Sequence, residues 1–230
     1  MSIVHALSTA RRKPYAGMQM EGPIARWYAR ITHDRRDYPM TARAIADQLP
    51  TGGAVLEVAP GPGYMAIQLA GLSATGAAYQ ITGLDISQSF VRIATDNARR
   101  AGVSIDFRQG DVANMPFPSG SFDFVVCQAA FKNFPEPVQA LDEIHRVLRA
   151  GGHASIFDLR KDAPLAAIDQ EVREMQLSRF GAFVMNWIFR LGLLRAAYTR
   201  EALEAVVARS RFERGEIRQD GIGFELRLVK

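Results

Sequence analysis

The stretch Val55-Leu56-Glu57-Val58-Ala59-Pro60-Gly61-Pro62-Gly63 decides the fold of this chain. It begins in a short apolar strand, predicted over 54–58, and continues through a glycine- and proline-rich loop into a helix predicted over 63–72. In a doubly wound sheet, such a tight turn lies at the carboxyl end of the first strand, where ligands bind. Gly61 and Gly63 allow the backbone to approach a ligand closely.

Strands and helices alternate after this loop. Further strands are predicted at 79–84, 104–108, 122–128 and 153–159, and helices at 88–101 and 137–149. This alternation predicts βαβ units and a mostly parallel sheet. Two last strands, 214–218 and 224–229, are joined by a turn at 219–221 and predict an antiparallel hairpin. The predicted fold class is therefore α/β: a Rossmann-like, seven-stranded, mostly parallel sheet with helices on both faces, an antiparallel C-terminal hairpin and helical lid elements.

Two regions lie outside the alternation. Residues 1–48 are predicted to form an N-terminal helical arm or lid, with helical periodicity over 24–49 and a break at Tyr38-Pro39. The α/β domain is assigned to 49–230, with a helical insertion at about 163–198 that contains helices at 165–180 and 182–194. Another helix follows at 199–210, with Thr199 as its N-cap. The apolar side chains of the insertion leave three roles open: the roof of a hydrophobic pocket, a homodimer face, or internal packing.

Charge and composition exclude several classes of function. The 230 residues carry a net charge of +4, and residues 1–48 hold eight basic and four acidic residues, so the basic excess lies there. This segment either attracts an anionic substrate or is a solvated helix face. Because no long basic run is interleaved with aromatics, no nucleic-acid partner is expected. No apolar stretch reaches the ~20 residues of a transmembrane segment, and the single cysteine, Cys127, predicts a reduced, buried thiol in a cytoplasmic protein.

The loop's spacing alone does not identify its ligand. Gly61-x-Gly63-x-x-Ala66 satisfies the dinucleotide pattern, and Asp85 follows 19 residues after Ala66, as in NAD-binding proteins. However, Pro60 and Pro62 remove two N–H donors that a pyrophosphate would need. Glu57 adds a negative charge that suits an ammonium group and repels phosphate.

Further blocks decide between these ligands. They are, in order, Gly83-Leu84-Asp85-Ile86-Ser87, Gln109-Gly110-Asp111-Val112, Met115-Pro116-Phe117-Pro118-Ser119-Gly120-Ser121-Phe122-Asp123 and Arg146-Val147-Leu148-Arg149-Ala150-Gly151-Gly152-His153. With them, the chain from about 54 to 159 resembles the class I methyltransferases that depend on S-adenosylmethionine (SAM). It is most similar to the methyltransferase-11-type group that includes the ubiquinone/menaquinone C-methyltransferases.

This resemblance implies SAM as cofactor, S-adenosylhomocysteine (SAH) as product and no metal. Glu57 and the backbone of Ala59 and Gly61 would hold the methionine ammonium, and Gly63 would complete the loop. Ala59 is a departure, because many members have glycine there. Tyr28 would hydrogen-bond the SAM carboxylate, with core packing as the alternative.

The resemblance also implies the rest of the cofactor site. Asp85 would accept the ribose hydroxyls and Ile86 would pack on the adenine. Asp111 and the backbone of Val112 would meet the adenine edge, and Gln128 would lie near the reaction centre. The alternative for Glu57 and Asp85 is that these strand-end acids cap the helices that follow.

The predicted activity is in-line methyl transfer to a small lipophilic or aromatic metabolite. His33, beside Asp34, is the candidate general base, whereas His145 is expected to be structural; Asn133 either faces the substrate or stabilises a turn. The alternatives are a SAM-binding enzyme with another reaction, an RNA or protein methyltransferase, and an NAD-dependent reductase. The second lacks support, because no Asn/Asp-Pro-Pro-Tyr/Phe motif follows the fourth strand.

Overall fold

One seven-stranded sheet organises the chain. In the computed structural model, which describes residues 20–33, 37–72, 78–174 and 194–230, the strand order is β3-β2-β1-β4-β5-β7-β6. The strands are β1 (Ala54–Val58), β2 (Gln80–Asp85), β3 (Asp106–Gln109), β4 (Phe122–Gln128), β5 (Leu148–Leu159), β6 (Glu216–Asp220) and β7 (Gly223–Val229). The first five pair in parallel, and β7 pairs antiparallel with both β5 and β6. The predicted fold class, including the antiparallel hairpin, is confirmed.

Helices cover both faces of this sheet. They are α1 (Gly22–Ile31), α2 (Asp37–Ala46), α3 (Tyr64–Leu72), α4 (Gln88–Arg100), α5 (Pro137–Val147), α6 (Leu165–Glu174) and α7 (Arg200–Ala208). Alternate residues of a strand point to opposite faces. Val55 and Val126 accordingly pack in a cluster with α2 and α3, whereas Leu56 and Val125 pack in a second cluster with α5 and α7. The two cores hold the strand ends rigidly in place.

Most predicted bounds agree with the structure to within two residues, and β4 agrees at both ends. The start of β5 was predicted five residues too late. The sequence predicts a helix as far as 149, but Leu148 already pairs with Phe122, and a register shift between Phe122 and Phe124 absorbs the extra residues. Thr199 caps α7 as predicted, since its hydroxyl accepts the Ala202 N–H at 3.2 Å.

The helical segment is interrupted as predicted, but the interruption falls between Ile31 and Asp37 rather than at Tyr38-Pro39, which lie in the first turn of α2. The first four N–H groups of a helix have no partner within the helix, so a proline there costs no hydrogen bond. The predicted helix over 182–194 falls outside the described residues except at its last position, and the one over 165–180 is described only as far as α6 extends. Among the described residues, no helix is long and apolar enough to cross a membrane.

Candidate functional site

Three polar side chains lie at the carboxyl edge of neighbouring strands. The register aligns Val58 of β1 with Leu84 of β2 on one side and with Cys127 of β4 on the other. Glu57 precedes this row by one residue, and Asp85 and Gln128 follow it by one. Glu57, Asp85 and Gln128 are separated by 28 and 43 residues in the sequence, and the fold brings them to one edge of the sheet. This is the position at which open α/β sheets bind ligands.

The loop between β1 and α3 depends on unusual backbone angles. Ala59, Gly61 and Gly63 have φ values of 54°, 54° and 79°. A Cβ on Gly63 would lie 2.8 Å from the Phe107 ring and 2.9 Å from the Ala94 Cβ, so glycine is required there by both angle and space. Ala59 adopts the same left-handed region with a side chain, which explains why glycine suits this position in the family pattern.

Asp85 is a buried carboxylate that holds the loop to β2. Its Oδ2 accepts the Gly61 N–H at 3.0 Å and its Oδ1 accepts the Ser87 N–H at 2.9 Å. Burial raises the pKa of Asp85 to about 6, because the loss of hydration raises the pKa more than the hydrogen bonds from these two N–H groups lower it. The Gly61 N–H therefore faces Asp85, which ties the glycine loop to the end of β2.

Glu57 is the least satisfied polar group of the site. Its side chain is buried, with the residue 3% exposed, and its Oε2 has no hydrogen-bond partner among the described residues. Burial raises the pKa of Glu57 to about 8; the backbone N–H of Ala66, in the first turn of α3, acts in the opposite direction. Glu57 therefore contacts the start of α3, as the capping alternative expected, and still leaves one oxygen for a ligand. An orphaned acceptor of this kind fits the ammonium group of SAM.

The segment before α1 crosses the start of α4 beside Asp85. The Ser87 hydroxyl donates to the Met20 carbonyl at 2.7 Å, and the Gly22 N–H donates to the Ser89 hydroxyl at 3.0 Å. The Ser89 N–H donates to the Glu21 carboxylate at 3.2 Å. These contacts fasten residues 20–22 to the start of α4, next to Asp85 in the sequence. The sequence did not predict them, because a bond between positions about 67 residues apart leaves no local pattern.

Tyr28 lies where α1 passes the glycine loop. Its ring packs edge-on against Phe90 with centroids 5.8 Å apart, and its Cε1 is 4.0 Å from the place a Cβ of Gly61 would take. Tyr28 thus lies near the glycine loop, and its ring also packs against Phe90, as the packing alternative expected.

The expected adenine residues take different environments. Ile86 is 54% exposed beside Asp85, and its carbonyl accepts the Gln109 amide at 3.2 Å, so an apolar surface is available for a ring. Asp111 uses Oδ1 to accept the Ala113 N–H at 2.9 Å, which closes a turn. Val112 packs on the core cluster next to β4.

The loop after β4 is held by a buried ion pair that the sequence did not predict. Lys132 Nζ lies 2.7 Å from Asp158 Oδ1, and the two side chains are 7% and 0% exposed. Asp158 also accepts the Lys132 N–H at 2.8 Å. Ala129 sits next to Gln128 with a φ of 57°, so the strand turns sharply at the candidate reaction centre. Asn133 ends a short 3₁₀ helix, in which its N–H donates to the Ala130 carbonyl.

The other candidates lie away from this edge. His33 is exposed and packs edge-on against Tyr64, with centroids 5.1 Å apart, in a groove between α1, α3 and α4. His145 packs on Phe212 at 5.0 Å, consistent with a structural role. Burial raises the pKa of the Cys127 thiol well above its usual range, which disfavours a nucleophile. Within the described residues, no cluster of His, Cys, Asp or Glu could hold a metal ion.

Comparisons with known proteins agree with this geometry. Residues 56–156 match a family described as a methyltransferase domain. A 2-phytyl-1,4-naphtoquinone methyltransferase of Synechococcus elongatus is 30% identical over 131 residues, which are 56% of this chain and 54% of that relative. A demethylmenaquinone methyltransferase of Deinococcus radiodurans is 33% identical over 132 residues, again 56% and 54%. The chain therefore spans about half the length of the curated relatives it matches.

Solved structures extend the likeness of the fold to almost the whole chain. A SAM-dependent methyltransferase of Aquifex aeolicus superposes with a TM-score of 0.68 at 15% identity, covering 89% of this chain and 97% of that one. At this identity the superposition concerns the fold alone. The chain thus shares the fold of that methyltransferase, and residues 56–156 are similar in sequence to the methyltransferase domain.

Proposed function

We propose that this protein is an enzyme that transfers the methyl group of SAM to a small lipophilic or aromatic molecule. The observation that carries the proposal is the buried Glu57 carboxyl group, one oxygen of which has no hydrogen-bond partner among the described residues, beside the buried Asp85 at the same sheet edge. A pair of buried acids is costly unless a ligand satisfies it. The ammonium and ribose hydroxyls of SAM are groups that such a pair would bind.

Each part of the site has a role in this proposal. Glu57 would accept the ammonium, Asp85 would accept the ribose hydroxyls, and Ile86 would pack on the adenine. The strap formed by residues 20–22 and the ring of Tyr28 would exclude water from the cofactor edge. When bound, SAM supplies a methyl group on a positively charged sulfur.

The chemistry needs little from the side chains beyond alignment. Orientation of the reacting atoms alone can contribute ~7–11 kcal/mol to the lowering of the barrier. A general base is required only where the acceptor must lose a proton. His33, the sequence-based candidate, packs against Tyr64 rather than beside Gln128, so we assign it no catalytic step.

The names of the relatives support a class of acceptor. The matched relatives bear the names of naphthoquinone and menaquinone methyltransferases. We infer an acceptor of similar character, a phenolic or quinol ring with apolar substituents. Gln128 and the loop fixed by Lys132 and Asp158 would face it, and regions 1–48 and 163–198 would select it.

The first experiment measures SAH binding by calorimetry. Asp85→Ala should weaken the affinity at least about tenfold, because a hydrogen bond to a charged acceptor is worth ~1.5–3 kcal/mol. Asp106→Ala is the matched control, since Asp106 is an exposed acid on the neighbouring strand, paired with Arg108. Equal SAH affinity of the Asp85 variant and the wild type would overturn the proposed cofactor site.

The second experiment tests the reaction. Full-length protein is incubated with SAM labelled on its methyl group and a panel of naphthoquinols, phenols, amines and thiols. Label transferred to a quinol or phenol is the expected result. SAH binding without transfer to any acceptor would favour the alternative, a SAM-binding enzyme with another reaction.

A further inference from the structure

A concave site apart from the candidate cofactor edge lies between the helices α1, α3 and α4. It is an open cavity of about 510 Å³, and its lining includes Arg26, Arg30, His33, Tyr64, Asn97 and Arg100. Volumes of this size are typical of small-molecule sites. None of these six residues belongs to the candidate cofactor edge formed by Glu57, Asp85 and Gln128.

Positive charge dominates the cavity. Arg26 and Arg30 lie one turn apart on α1, so their side chains share one face of the helix. Arg100 comes from the last turn of α4 and its guanidinium lies 3.3 Å from the Asn97 side-chain oxygen. The one acid of the lining, Asp96, is paired with Arg99 at 2.9 Å. Among the described residues, Arg26 and Arg30 have no ion pair that would neutralise them.

The walls of the cavity are fixed rather than loose. The Tyr64 hydroxyl donates to the Ala29 carbonyl at 3.0 Å, which joins α3 to α1. The Asn97 amide donates to the Pro62 carbonyl at 3.0 Å, which joins α4 to the glycine loop. A binding site on such a frame needs little reorganisation when a ligand enters.

We propose that this cavity binds a phosphate-bearing group. Arginine presents a planar fork of N–H donors that matches phosphate oxygens in pairs. Three arginines from two helices can surround such a group, while the rings of His33 and Tyr64 provide an apolar wall. The site is independent of the cofactor edge, so it stands whether or not the protein transfers a methyl group.

Two sources supply this chemistry: a soluble phosphate or diphosphate, and the headgroup of an anionic lipid. The same helix carries Ile24, Trp27 and Ile31, which are 38%, 58% and 57% exposed and recur at helical spacing. A lipid surface would cover these side chains, whereas a soluble ligand would leave them exposed. The soluble ligand and the lipid headgroup are therefore tested in separate experiments.

In the first arm, inorganic pyrophosphate is titrated into the full chain by calorimetry, with and without SAH. In the second, the protein is mixed with vesicles of phosphatidylglycerol or of phosphatidylcholine and floated. Arg30→Gln/Arg100→Gln should weaken the binding about tenfold or more in whichever arm shows it. Arg92→Gln is the matched control, because Arg92 is an exposed arginine of α4 that does not line the cavity.

Pyrophosphate binding that depends on Arg30 and Arg100 identifies a soluble ligand. Flotation with phosphatidylglycerol alone, lost in the same double variant, identifies a lipid headgroup. The proposal is overturned if the wild type binds neither probe, or if the double variant binds as well as Arg92→Gln. Circular dichroism of each variant checks that a loss of binding is not a loss of fold.

Discussion

Removing the carboxylate of Asp158 should destabilise the protein more than breaking any exposed ion pair. Asp158 is fully buried and accepts three hydrogen bonds, from Lys132 Nζ at 2.7 Å, the Lys132 N–H at 2.8 Å and the Leu159 N–H at 2.8 Å. In Asp158→Ala the Lys132 ammonium keeps the Ala129 carbonyl as its hydrogen-bond partner but loses its counter-charge. Breaking one side of a buried pair typically costs ~3–5 kcal/mol. That is a large part of the ~5–15 kcal/mol by which a domain is stable.

The matched control is Glu216→Ala. Glu216 and Arg218 form a pair at 2.7 Å, but both side chains are more than half exposed. Such pairs contribute about 0–1 kcal/mol, because water screens the charges. Each substitution thus removes a carboxylate from an ion pair, in the buried interior for Asp158 and at the exposed surface for Glu216.

Urea unfolding followed by circular dichroism measures both free energies of unfolding. Asp158→Asn, which retains one acceptor oxygen, should fall between the wild type and Asp158→Ala. Lys132→Met/Asp158→Ala should lose less than the sum of the single variants, since the double variant leaves no unpaired buried charge. A loss in Asp158→Ala no larger than in Glu216→Ala, or strict additivity of the double variant, would refute the reasoning.

Three further predictions concern the cofactor edge and its surroundings. Gly63→Ala should destabilise the protein and weaken SAH binding, because the added Cβ would lie 2.8 Å from the Phe107 ring at a φ of 79°. The control Gly71→Ala lies in α3 with open space around it, so it should leave SAH binding unchanged and either leave stability unchanged or raise it by about 1 kcal/mol. Thermal unfolding measures the stability and calorimetry the SAH binding. Cys127 should resist iodoacetamide in the native protein and react in urea, since the thiol is buried and its pKa is raised; mass spectrometry detects the adduct, and rapid native labelling would contradict the burial. Glu57 should make the ligand-free protein less stable as the pH rises toward and through 8, and Glu57→Gln should flatten that part of the pH profile of Tm.

The sheet was predictable because its signals are local. Most of the parallel strands are short apolar runs bounded by glycine, proline or acidic residues, and their alternation with helices predicts a mostly parallel sheet. Glu57 and Asp85 stand at the ends of such runs, whereas Gln128 entered the candidate site only through the resemblance to the methyltransferases. The start of β5 escaped prediction, because Gly151-Gly152 is typical of a turn and the pairing of Leu148 depends on a distant irregularity in β4.

Features that join distant segments could not be read from the sequence. Lys132 stands in a loop where a polar residue is ordinary, and only the fold brings it to Asp158. The hydrogen bonds of Met20 and Gly22 to serines of α4 have no periodic signature either. His33 was singled out for its chemistry, but its location depends on how α1 crosses α3, which the helical periodicity of 24–49 does not specify.

The pH prediction for Glu57 also separates the two interpretations of that residue. The folded-state pKa of about 8 lies above the ordinary value of 4.5, so folding takes up a proton between these values. Its contribution to stability is complete below pH 4.5 and is lost as the pH rises through 8. If Glu57 is held buried to receive an ammonium group, Glu57→Gln should stabilise the free protein at pH 8 and weaken SAH binding, and wild-type SAH binding should release a proton near neutral pH. If Glu57 serves only to cap α3, the glutamine retains the acceptor that faces Ala66, and SAH affinity should not change. A Glu57→Gln variant that is more stable but binds SAH more weakly would therefore identify Glu57 as a binding residue. Substitution of a residue that only supports the fold is not expected to raise stability and lower SAH affinity together.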